Sequence, residues 1–277
     1  MPKVSVVTTV YNGRPYFERA LPSILAQTYT DFEYLIVDDG STDGTGEKLA
    51  EVAHQDARIR ILSPGRLGFA AALNHAISHA QGEYIARQDF DDISYPQRLA
   101  RQVSYLDAHP DVGLVGGQYI REDEQRGERY VRLPPIENRE IRAALVRYIP
   151  FAHTLVMFRR AAWEQVGGYP TATNLVDLRL WLRLAEAGWG FHNIPEVLGE
   201  HLIHGASFWH RTFTYRQRQR DFARVQLEAI RRLHLPWWMV VYPLGRLAYS
   251  YLPDQVKRWT RRSLAGVQEQ DMTEQHP

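Results

Sequence analysis

Three aspartates stand within four residues in the segment GEYIARQDFDDISYP, where an apolar run ends at Asp89, Asp91 and Asp92. Carboxylates this close repel one another unless a cation or a proton offsets the repulsion. Mg²⁺ and Mn²⁺ prefer carboxylate oxygens and are often shared with substrate phosphates, so Asp89 and Asp91 predict a divalent-cation site. An alternative is that Asp92 or Ser94 caps the helix that follows Pro96, which would account for one acid but not for three.

A second acidic turn, in LIVDDGSTDGT, places Asp38 and Asp39 at the end of another apolar run. One interpretation is a turn in which Asp43 or Thr45 caps the next helix. The other is a binding role, since a carboxylate there can accept the N–H of a base such as uracil, or a ribose hydroxyl. Tyr11, at the end of the first apolar run, could then stack on that base.

Strand and helix patterns alternate through the first third of the chain. The runs typical of buried strands are KVSVVTTVYN, FEYLIVD, RIRILSP and EYIARQD. Between them lie the helical patterns RPYFERALPSILAQ, TGEKLAEVAHQD and GFAAALNHAISHAQG, the last ending at Gly82. This alternation predicts the α/β class, with a Rossmann-like, mostly parallel sheet flanked by helices. Ligands bind beyond the carboxyl ends of such strands, so Tyr11, Asp39 and Asp89 should meet at one edge.

The later part of the chain continues the sheet and then changes character. VGLVGGQYIRED predicts another strand, and VDLRLWLRLAEAG predicts an amphipathic helix that ends at Gly188. We expect residues 1–105 and 106–212 to be two halves of one domain with a continuous sheet. Residues 213–277 are expected to form a helical C-terminal extension rich in basic and aromatic residues.

The composition excludes several classes of protein. The chain has 277 residues, 44% of them hydrophobic, and a formal net charge of +1, which argues against a nucleic-acid partner. It has no cysteine, so disulfides and thiolate metal sites are ruled out and a reducing compartment is compatible. The N-terminal apolar run is only as long as a strand and is not expected to be a signal peptide. No stretch suggests a spanning helix.

Five segments occur in an order and at intervals that resemble an inverting family 2 glycosyltransferase of the A-type nucleotide-sugar fold. They are VSVVTTVYNG, LIVDDGSTDGT, GFAAALNHAISHAQGEYIARQDFDD, HTLVMFRRAAWEQVGGY and LRLWLRLAEAG. The resemblance implies a nucleotide-sugar-binding half in 1–105 and an acceptor-binding half in 106–212. It also implies transfer of a sugar from a nucleoside diphosphate sugar, UDP in our interpretation, to an acceptor hydroxyl in surface polysaccharide or glycolipid synthesis.

The resemblance assigns Thr9, Tyr11 and Asp39 to the nucleotide, with Asp39 holding the base. The family often has proline where Thr9 stands. Arg66 occupies a position that is often asparagine, close to where the diphosphate would lie. It is either a phosphate contact or an exposed loop arginine.

The metal and diphosphate site follows from the same resemblance. Arg87 matches an arginine common before the metal motif, Asp89 would contact the ribose or metal-bound water, and Asp91 would bind Mn²⁺ or Mg²⁺, with Asp89 as a further metal contact. His204 matches a histidine that closes this site in relatives, although the preceding family arginine is replaced by leucine here. His201 is the alternative candidate.

Asp177 is the expected catalytic base, the carboxylate that takes the acceptor's proton as its hydroxyl attacks the anomeric carbon. The family's neighbouring glutamate is missing, and Arg179 stands where a further acid is common. A lone aspartate at a helix start is otherwise an N-cap. His153 matches a frequent family position that lines the donor or acceptor pocket.

Two other classes of function remain open on the sequence alone. The changes beside Asp177 leave room for a nucleotide-sugar-binding module without catalysis. A nucleotidyltransferase or kinase could use a similar parallel sheet, but the chain lacks the G-x-x-x-x-G-K-[ST] phosphate loop.

The C-terminal extension carries a separate signal between residues 235 and 262. Tryptophans, tyrosines and basic residues are concentrated there, as in segments that lie at a membrane interface. Pro236, Pro243 and Pro253 argue against a spanning helix. The segment predicts either peripheral contact with the inner face of the cell membrane, for a cytoplasmic enzyme with a glycan or lipid-linked glycan acceptor, or a contact within a homodimer.

Overall fold

The computed structural model describes residues 1–124, 127–205 and 214–253, together with the backbone of residues 268–271. The part of the aromatic and basic segment from 254 to 262 lies outside the described residues.

The first four strands alternate with the first three α-helices, and a fifth strand of two residues precedes the fourth helix. The strands are β1 Val4–Val10, β2 Phe32–Asp38, β3 Ile59–Leu62, β4 Tyr84–Arg87, β5 Ile93–Ser94, β6 Val112–Asp123, β7 Glu128–Leu133, β8 Met157–Arg159, β9 Gly190–Ile203 and β10 Gln268–Asp271. The α-helices are α1 Phe17–Leu25, α2 Thr45–Gln55, α3 Phe69–Ser78, α4 Arg98–Ala108, α5 Asn138–Ala144, α6 Arg160–Gln165, α7 Val176–Glu186, α8 Tyr215–Arg232 and α9 Val241–Ser250. Short 3₁₀ turns cover Arg14–Tyr16, His153–Leu155 and Trp237–Val240.

One mixed sheet runs through the molecule in the order β3-β2-β1-β4-β8-β6-β7-β10, and β9 pairs with both β6 and β5. β1 to β4 are mutually parallel, as their alternation with helices predicts. β8 runs antiparallel between β4 and β6, whereas β6 and β9 are parallel. The α/β class, with a sheet flanked by helices, is therefore confirmed, and the later strands make the sheet mixed.

The central strands are buried because helices cover both faces of the sheet. Alternate residues of β2 point to opposite sides: Leu35 and Val37 pack in the core with α3 and α7, whereas Tyr34 and Ile36 pack in the core with α1 and α4. This arrangement explains why β2 reads as a continuous apolar run and not as an alternating one.

Gly82 does not end the third helix, contrary to the expectation from the sequence. α3 ends at Ser78, and the chain then turns toward β1. A Cβ atom at Gly82 would lie 2.5 Å from the backbone nitrogen of Ser5 and 2.7 Å from the carbonyl carbon of Val4. Gly82 is thus required by a close approach between two segments of backbone. Gly188, in contrast, has a φ of +90° directly after α7, as its predicted role at a helix end demands.

The predicted helical C-terminal region is confirmed. α8 begins with a capping box, in which the side chain of Thr214 accepts from the backbone of Gln217 and the Gln217 side chain reaches back. α8 packs against α7, and its Ala229 and Ile230 share a small core with Leu182. None of the described helices combines the length and the apolarity that a bilayer crossing requires.

Gly82→Ala should destabilise the protein by about 1–3 kcal/mol, because the new methyl group forces backbone apart. Equilibrium unfolding in urea measures the change. Gly245→Ala is the matched control: Gly245 lies inside α9 with nothing within 4 Å of its Cβ position. It should be neutral or stabilising by up to about 1 kcal/mol. Equal effects of the two substitutions would contradict the close-approach explanation.

Candidate active site

Three neighbouring strands bring the predicted polar groups to one edge of the sheet. β1 pairs in parallel with β2 on one side and with β4 on the other, so their carboxyl ends lie together. The amide of Asp39 donates to the carbonyl of Val10 at 2.8 Å, and the amide of Gln88 donates to the carbonyl of Val7 at 3.0 Å. The residues that follow each strand are thereby fixed to the neighbouring strand.

The turn after β1 is locked to the turn after β2. Asn12 has a φ of 55°, its side-chain oxygen accepts from the amide of Thr42 at 2.8 Å, and its own amide donates to the Ser41 hydroxyl at 2.9 Å. Thr9 is half-buried just before this turn, and Tyr11 is 49% exposed. The locked turns present the ring of Tyr11 to solvent at the sheet edge.

Asp39 is already fully engaged by the segment before α3. Its carboxylate accepts from the amides of Leu67 and Gly68 at 2.6 and 3.1 Å and from Arg66 Nη1 at 2.8 Å. The Arg66 guanidinium also lies over the Tyr11 ring, 3.7 Å from its centroid. Arg66 thus contacts both Tyr11 and Asp39, the residues expected at the base, and it covers one face of the Tyr11 ring.

Asp43 belongs to the turn before α2, but neither Asp43 nor Thr45 caps that helix, contrary to one interpretation of the sequence, because Gly44 stands at the N-cap position. The Asp43 carboxylate accepts from the amide of Thr45 at 3.1 Å and from the Thr45 hydroxyl at 2.5 Å, at the start of α2. Asp38 accepts from the amide of Ser41 at 2.9 Å. Both acids are therefore used locally, which leaves Asp39 as the acid directed toward the α3 segment.

Asp89 is oriented by a buried arginine at the end of β4. Arg87 is fully buried and donates to a carboxylate oxygen of Asp89 and, at 3.2 Å, to the carbonyl of Val7. The amide of Asp89 donates to the Thr154 hydroxyl at 2.9 Å. The positive charge of the Arg87 guanidinium offsets the negative charge of the Asp89 carboxylate, so the pair holds its position before any ligand arrives.

A second buried arginine, Arg98, holds the backbone that leads into the Asp89–Asp92 loop. Arg98 donates to the carbonyls of Arg87 and Val156 at 2.7 and 3.1 Å and to Gln88 Oε1 at 3.0 Å. The side-chain nitrogen of Gln88 in turn donates to the carbonyl of Asp92 at 2.9 Å. Burial lowers the pKa of Arg98 to about 9, which leaves the guanidinium protonated at neutral pH.

Asp91 and His204 form a linked pair at the mouth of the site. His204 Nε2 lies 2.8 Å from Asp91 Oδ2, and His204 Nδ1 lies 2.9 Å from the Tyr16 hydroxyl. The Asp91 side chain is 28% exposed, whereas that of His204 is 7% exposed. His201, the alternative candidate, is not the partner of Asp91 in this hydrogen bond, and burial lowers its pKa.

Asp92 is not a helix cap, and neither is Ser94. Asp92 is buried, and its carboxylate accepts from the amide of Leu202 in β9 at 2.7 Å. Ser94 donates to Gln88 Oε1 at 2.6 Å, while Gln97 stands at the cap position of α4. Burial, together with the charges of the neighbouring aspartates, raises the pKa of Asp92 well above its usual value.

Without substrate, the side chains at this edge supply only some of the ligands that a divalent cation needs. Among residues 1–124, 127–205 and 214–253, no three histidine or acidic side chains converge on one point. Asp91 and His204 do offer an oxygen and a nitrogen 2.8 Å apart. Adjacent ligands of an octahedral Mg²⁺ or Mn²⁺ lie about 3 Å apart, so the pair fits two neighbouring positions on such an ion.

Asp177 is the second residue of α7 and not its N-cap, which is Leu175 with a φ of 55°. Burial raises the pKa of Asp177, and the charge of Asp89 acts in the same direction. Backbone N–H groups of the first turn and the Arg87 guanidinium oppose that shift. These influences place Asp177 within electrostatic reach of the Arg87–Asp89 pair.

His153 lines the same buried region and is held neutral. Its Nε2 lies 2.8 Å from the Tyr169 hydroxyl. Burial lowers the pKa of His153 to about 3, and the Arg87 guanidinium contributes in the same direction. Burial also raises the pKa of Tyr169. A neutral imidazole and a neutral phenol therefore accompany the charged groups around Asp89.

Three residues that orient these side chains, Arg98, Thr154 and Tyr16, are not among those expected from the sequence. Arg98 carried a signal, because it lies on the apolar stripe of α4 beside Leu99, and a charge there must find partners inside. Thr154 and Tyr16 carried none, since each acts through one hydroxyl that contacts a residue far away in sequence.

The mixed sheet and its acidic edge define the A-type glycosyltransferase fold. A mannosyltransferase from Pyrobaculum calidifontis, solved with GDP-Man and Mn²⁺, is 24% identical, with a TM-score of 0.65 over 95% of this chain and 80% of that one. TarS of S. aureus, residues 1–349 solved with UDP-GlcNAc, is 15% identical, with a TM-score of 0.66 over 95% of this chain and 88% of that one. These likenesses concern the fold.

Sequence comparison gives the family. The family model described as glycosyl transferase family 2 matches residues 5–167. EpsE of Bacillus subtilis, provisionally named a glycosyltransferase, is 36% identical over 262 residues, which are 92% of this chain and 91% of EpsE. The amylovoran biosynthesis glycosyltransferase AmsE of Erwinia amylovora is 34% identical over 200 residues, 70% of this chain and 74% of AmsE. The chain belongs to glycosyltransferase family 2 and is a glycosyltransferase.

Asp177→Asn should stabilise the fold at neutral pH, because it removes a carboxylate that burial disfavours in its charged form. The folded-state pKa is raised, so the wild-type protein loses stability as pH rises from the ordinary value of 3.8 through the raised one. The gap between variant and wild type should open over that interval and then stay constant. Thermal melting across pH measures it.

Asp111→Asn is the control for that experiment, since Asp111 is an exposed carboxylate. It should leave the pH dependence of the melting temperature unchanged. A melting temperature for Asp177→Asn below that of wild type at pH 7 would show that the Asp177 carboxylate stabilises the fold, against the argument from burial.

Proposed function

We propose that the protein is a metal-dependent, inverting glycosyltransferase that moves a sugar from a UDP-sugar to an acceptor hydroxyl in polysaccharide or glycolipid synthesis. The observation that carries the proposal is the meeting of Asp39, the Asp91–His204 pair and the Asp89 carboxylate, with Asp177 in electrostatic reach, along one sheet edge. The names of relatives support the pathway: AmsE is named for amylovoran biosynthesis, and TuaG of Bacillus subtilis provisionally for teichuronic acid biosynthesis.

The nucleotide end of the donor belongs at the turns after β1 and β2 in this proposal. Tyr11 stacks on the base, Asp39 accepts the imide N–H, and Thr9 lies beside them. Because Arg66 occupies both Tyr11 and Asp39, it has to release them when the base enters. A phosphate oxygen then offers the guanidinium a replacement partner, which agrees with a position close to the diphosphate.

The diphosphate end belongs at the loop after β4. Asp91 and His204 would hold a Mn²⁺ or Mg²⁺ ion, with Asp89 on the ribose or on metal-bound water. When bound, such an ion neutralises negative charge that builds up on the departing diphosphate. Arg87 keeps Asp89 oriented, and the Tyr16 hydroxyl fixes the ring of His204.

Asp177 is the proposed base. As the acceptor oxygen forms its bond to the anomeric carbon, the bond from that carbon to the diphosphate oxygen breaks and the acceptor proton passes to the Asp177 carboxylate. The attack comes from the face opposite the leaving group, so a single displacement inverts the anomeric centre. A pKa raised by burial makes the carboxylate a stronger base than an exposed aspartate.

A donor screen tests the proposal as a whole. UDP-sugars and GDP-sugars are each incubated with the protein and Mn²⁺, and release of the nucleoside diphosphate is measured by chromatography. We expect release from a UDP-sugar and stronger thermal stabilisation by UDP than by GDP. Release from GDP-sugars alone would refute the UDP assignment, and release from no sugar nucleotide, without stabilisation by either nucleotide, would refute the donor class.

Removing the metal should abolish turnover. Excess EDTA should stop nucleoside diphosphate release, and Mn²⁺ or Mg²⁺ should restore it. Asp91→Asn should raise the Mn²⁺ concentration needed for half-maximal rate at least about tenfold, because one charged oxygen ligand is lost. Asp31→Asn, at an exposed aspartate far along the chain, is the control and should leave that concentration unchanged. Full activity in EDTA would rule the metal out.

Asp177→Asn should lower turnover by roughly two to four orders of magnitude while donor affinity stays within a few-fold, because the base acts in the transition state. Isothermal titration with UDP measures affinity, and initial rates measure turnover. Glu186→Gln, at the exposed end of the same helix, should leave both unchanged. Turnover close to wild type in Asp177→Asn would assign the base to another residue.

A further inference from the structure

α9 exposes apolar side chains and directs its one charged residue inward, which is unusual for a helix on a protein surface. Its exposed residues Val241, Leu244, Gly245 and Ala248 are uncharged, and the exposed Tyr251 and Leu252 follow directly after the helix. Val241, Leu244 and Tyr251 are 57%, 54% and 54% exposed. The one charged residue of α9, Arg246, points inward and donates to the carbonyl of Arg147 at 2.8 Å and to Gln219 Oε1 at 2.8 Å. Surface helices ordinarily bury the apolar side and expose the charge.

Two tryptophans extend this surface at the start of α9. Trp237 is 81% exposed and Trp238 is 50% exposed, while Met239 between them and the helix is buried against Ile230 of α8. The packing of Met239 therefore fixes the Trp237–Val240 turn, and the indole rings extend from this turn into solvent. We call this surface the α9 face; it consists of the exposed side chains of Trp237 and Trp238, the exposed residues of α9, and Tyr251 and Leu252 directly after it.

A row of arginines borders the α9 face. Arg216, Arg220, Arg224 and Arg231 recur at helical spacing and are exposed along α8. Arg220 Nη2 donates to the Tyr251 hydroxyl at 2.9 Å, and the Arg216 guanidinium lies 5.1 Å from the Tyr251 ring centroid. The row and the face therefore adjoin at Tyr251.

Little negative charge offsets these arginines. Arg224 lies 3.4 Å from Asp221, but within the described residues no ion pair joins Arg216, Arg220 or Arg231 to a carboxylate. The sequence from 233 to 253 contains no aspartate or glutamate. The surface thus combines exposed aromatic and aliphatic groups with uncompensated positive charge.

We propose that the α9 face docks on an anionic lipid bilayer, with α9 lying in the plane of the interface and the arginines of α8 on the lipid phosphates. Tryptophan and tyrosine favour the depth of the lipid headgroups, and nearby arginines are attracted to anionic lipid. A second copy of the chain fits less well. In a two-fold dimer through this face, the arginine rows of both copies would adjoin the same contact and repel each other.

The docked surface is tied to the helix that carries Asp177. Arg179 of α7 forms an ion pair with Glu228 of α8 at 2.5 Å, and Asn174, just before α7, donates to Asp221 of α8 at 2.9 Å. Docking would hold α7 at a fixed position relative to the bilayer. Resting on the function proposed above, this geometry favours a lipid-linked acceptor that reaches Asp177 from the membrane.

Vesicle co-sedimentation of the full chain tests the proposal without any readout of catalysis. The vesicles are phosphatidylcholine alone, or phosphatidylcholine in which roughly one third of the lipid is phosphatidylglycerol. The wild-type protein should sediment with the anionic vesicles and weakly with the neutral ones. Trp237→Ser/Leu244→Gln should bind the anionic vesicles at least about tenfold more weakly, because two exposed apolar anchors are lost.

Charge-matched variants separate the arginine row from general electrostatics. Arg216→Gln/Arg224→Gln should bind anionic vesicles several-fold more weakly than wild type. Lys48→Gln/Arg101→Gln removes the same charge from helices of the opposite layer and should bind like wild type. Circular dichroism, together with unchanged nucleotide binding, confirms that each variant is folded.

Three results would overturn the proposal. They are no sedimentation of the wild-type protein with anionic vesicles, wild-type binding by Trp237→Ser/Leu244→Gln, and equal losses in both charge variants. Light scattering covers the dimer: if the wild type is a dimer that Trp237→Ser/Leu244→Gln makes monomeric, and vesicles bind neither, the α9 face is a subunit contact. Failure of vesicle binding would leave the donor screen unaffected, so the two proposals stand or fall separately.

Discussion

The loop that carries Asp89, Asp91 and Asp92 depends on a guanidinium that is fully buried. Arg98 is fully buried, and its donors reach the carbonyls of Arg87 and Val156, the side chain of Gln88 and the Ser94 hydroxyl. Burying a charge is costly unless every donor is satisfied, so the surrounding backbone can adopt few other arrangements. The end of β4, the segment before β8, the loop and the start of α4 are thereby fixed to one point.

The three acids of that loop can lie close together because each carboxyl group has a different partner or environment. Asp89 is paired with the charge of Arg87, and Asp91 is hydrogen-bonded to His204. Asp92 is buried, and its raised pKa moves it toward the protonated form. The loop can therefore fold before a cation arrives, although its sequence reads as a cluster of unshielded charge. A cation would therefore bind to acids whose positions the protein has already fixed.

Much of the fold could be predicted from the sequence, because local patterns determine it. The period of β1 to β4 and their intervening helices predicted parallel strands, and hence the edge at which Asp39 and Asp89 lie. Long-range partners could not be predicted this way. The sequence pattern around Gly82 is typical of a helix end, but glycine is required there because the backbone of β1 lies too close for a side chain. The contact between Arg66 and Tyr11 joins two segments far apart in sequence, and neither segment contains a pattern that indicates the other.

The position of Arg66 has a consequence for the end of the catalytic cycle. Without nucleotide, Tyr11 and Asp39 are already satisfied by the protein's own guanidinium, so under the proposed roles a nucleotide exchanges one set of contacts for another. When the nucleoside diphosphate departs, Arg66 can return to the Tyr11 ring and pair again with the Asp39 carboxylate. Such an exchange lowers the net affinity for product, and an enzyme whose rate is set by product release would turn over faster for it.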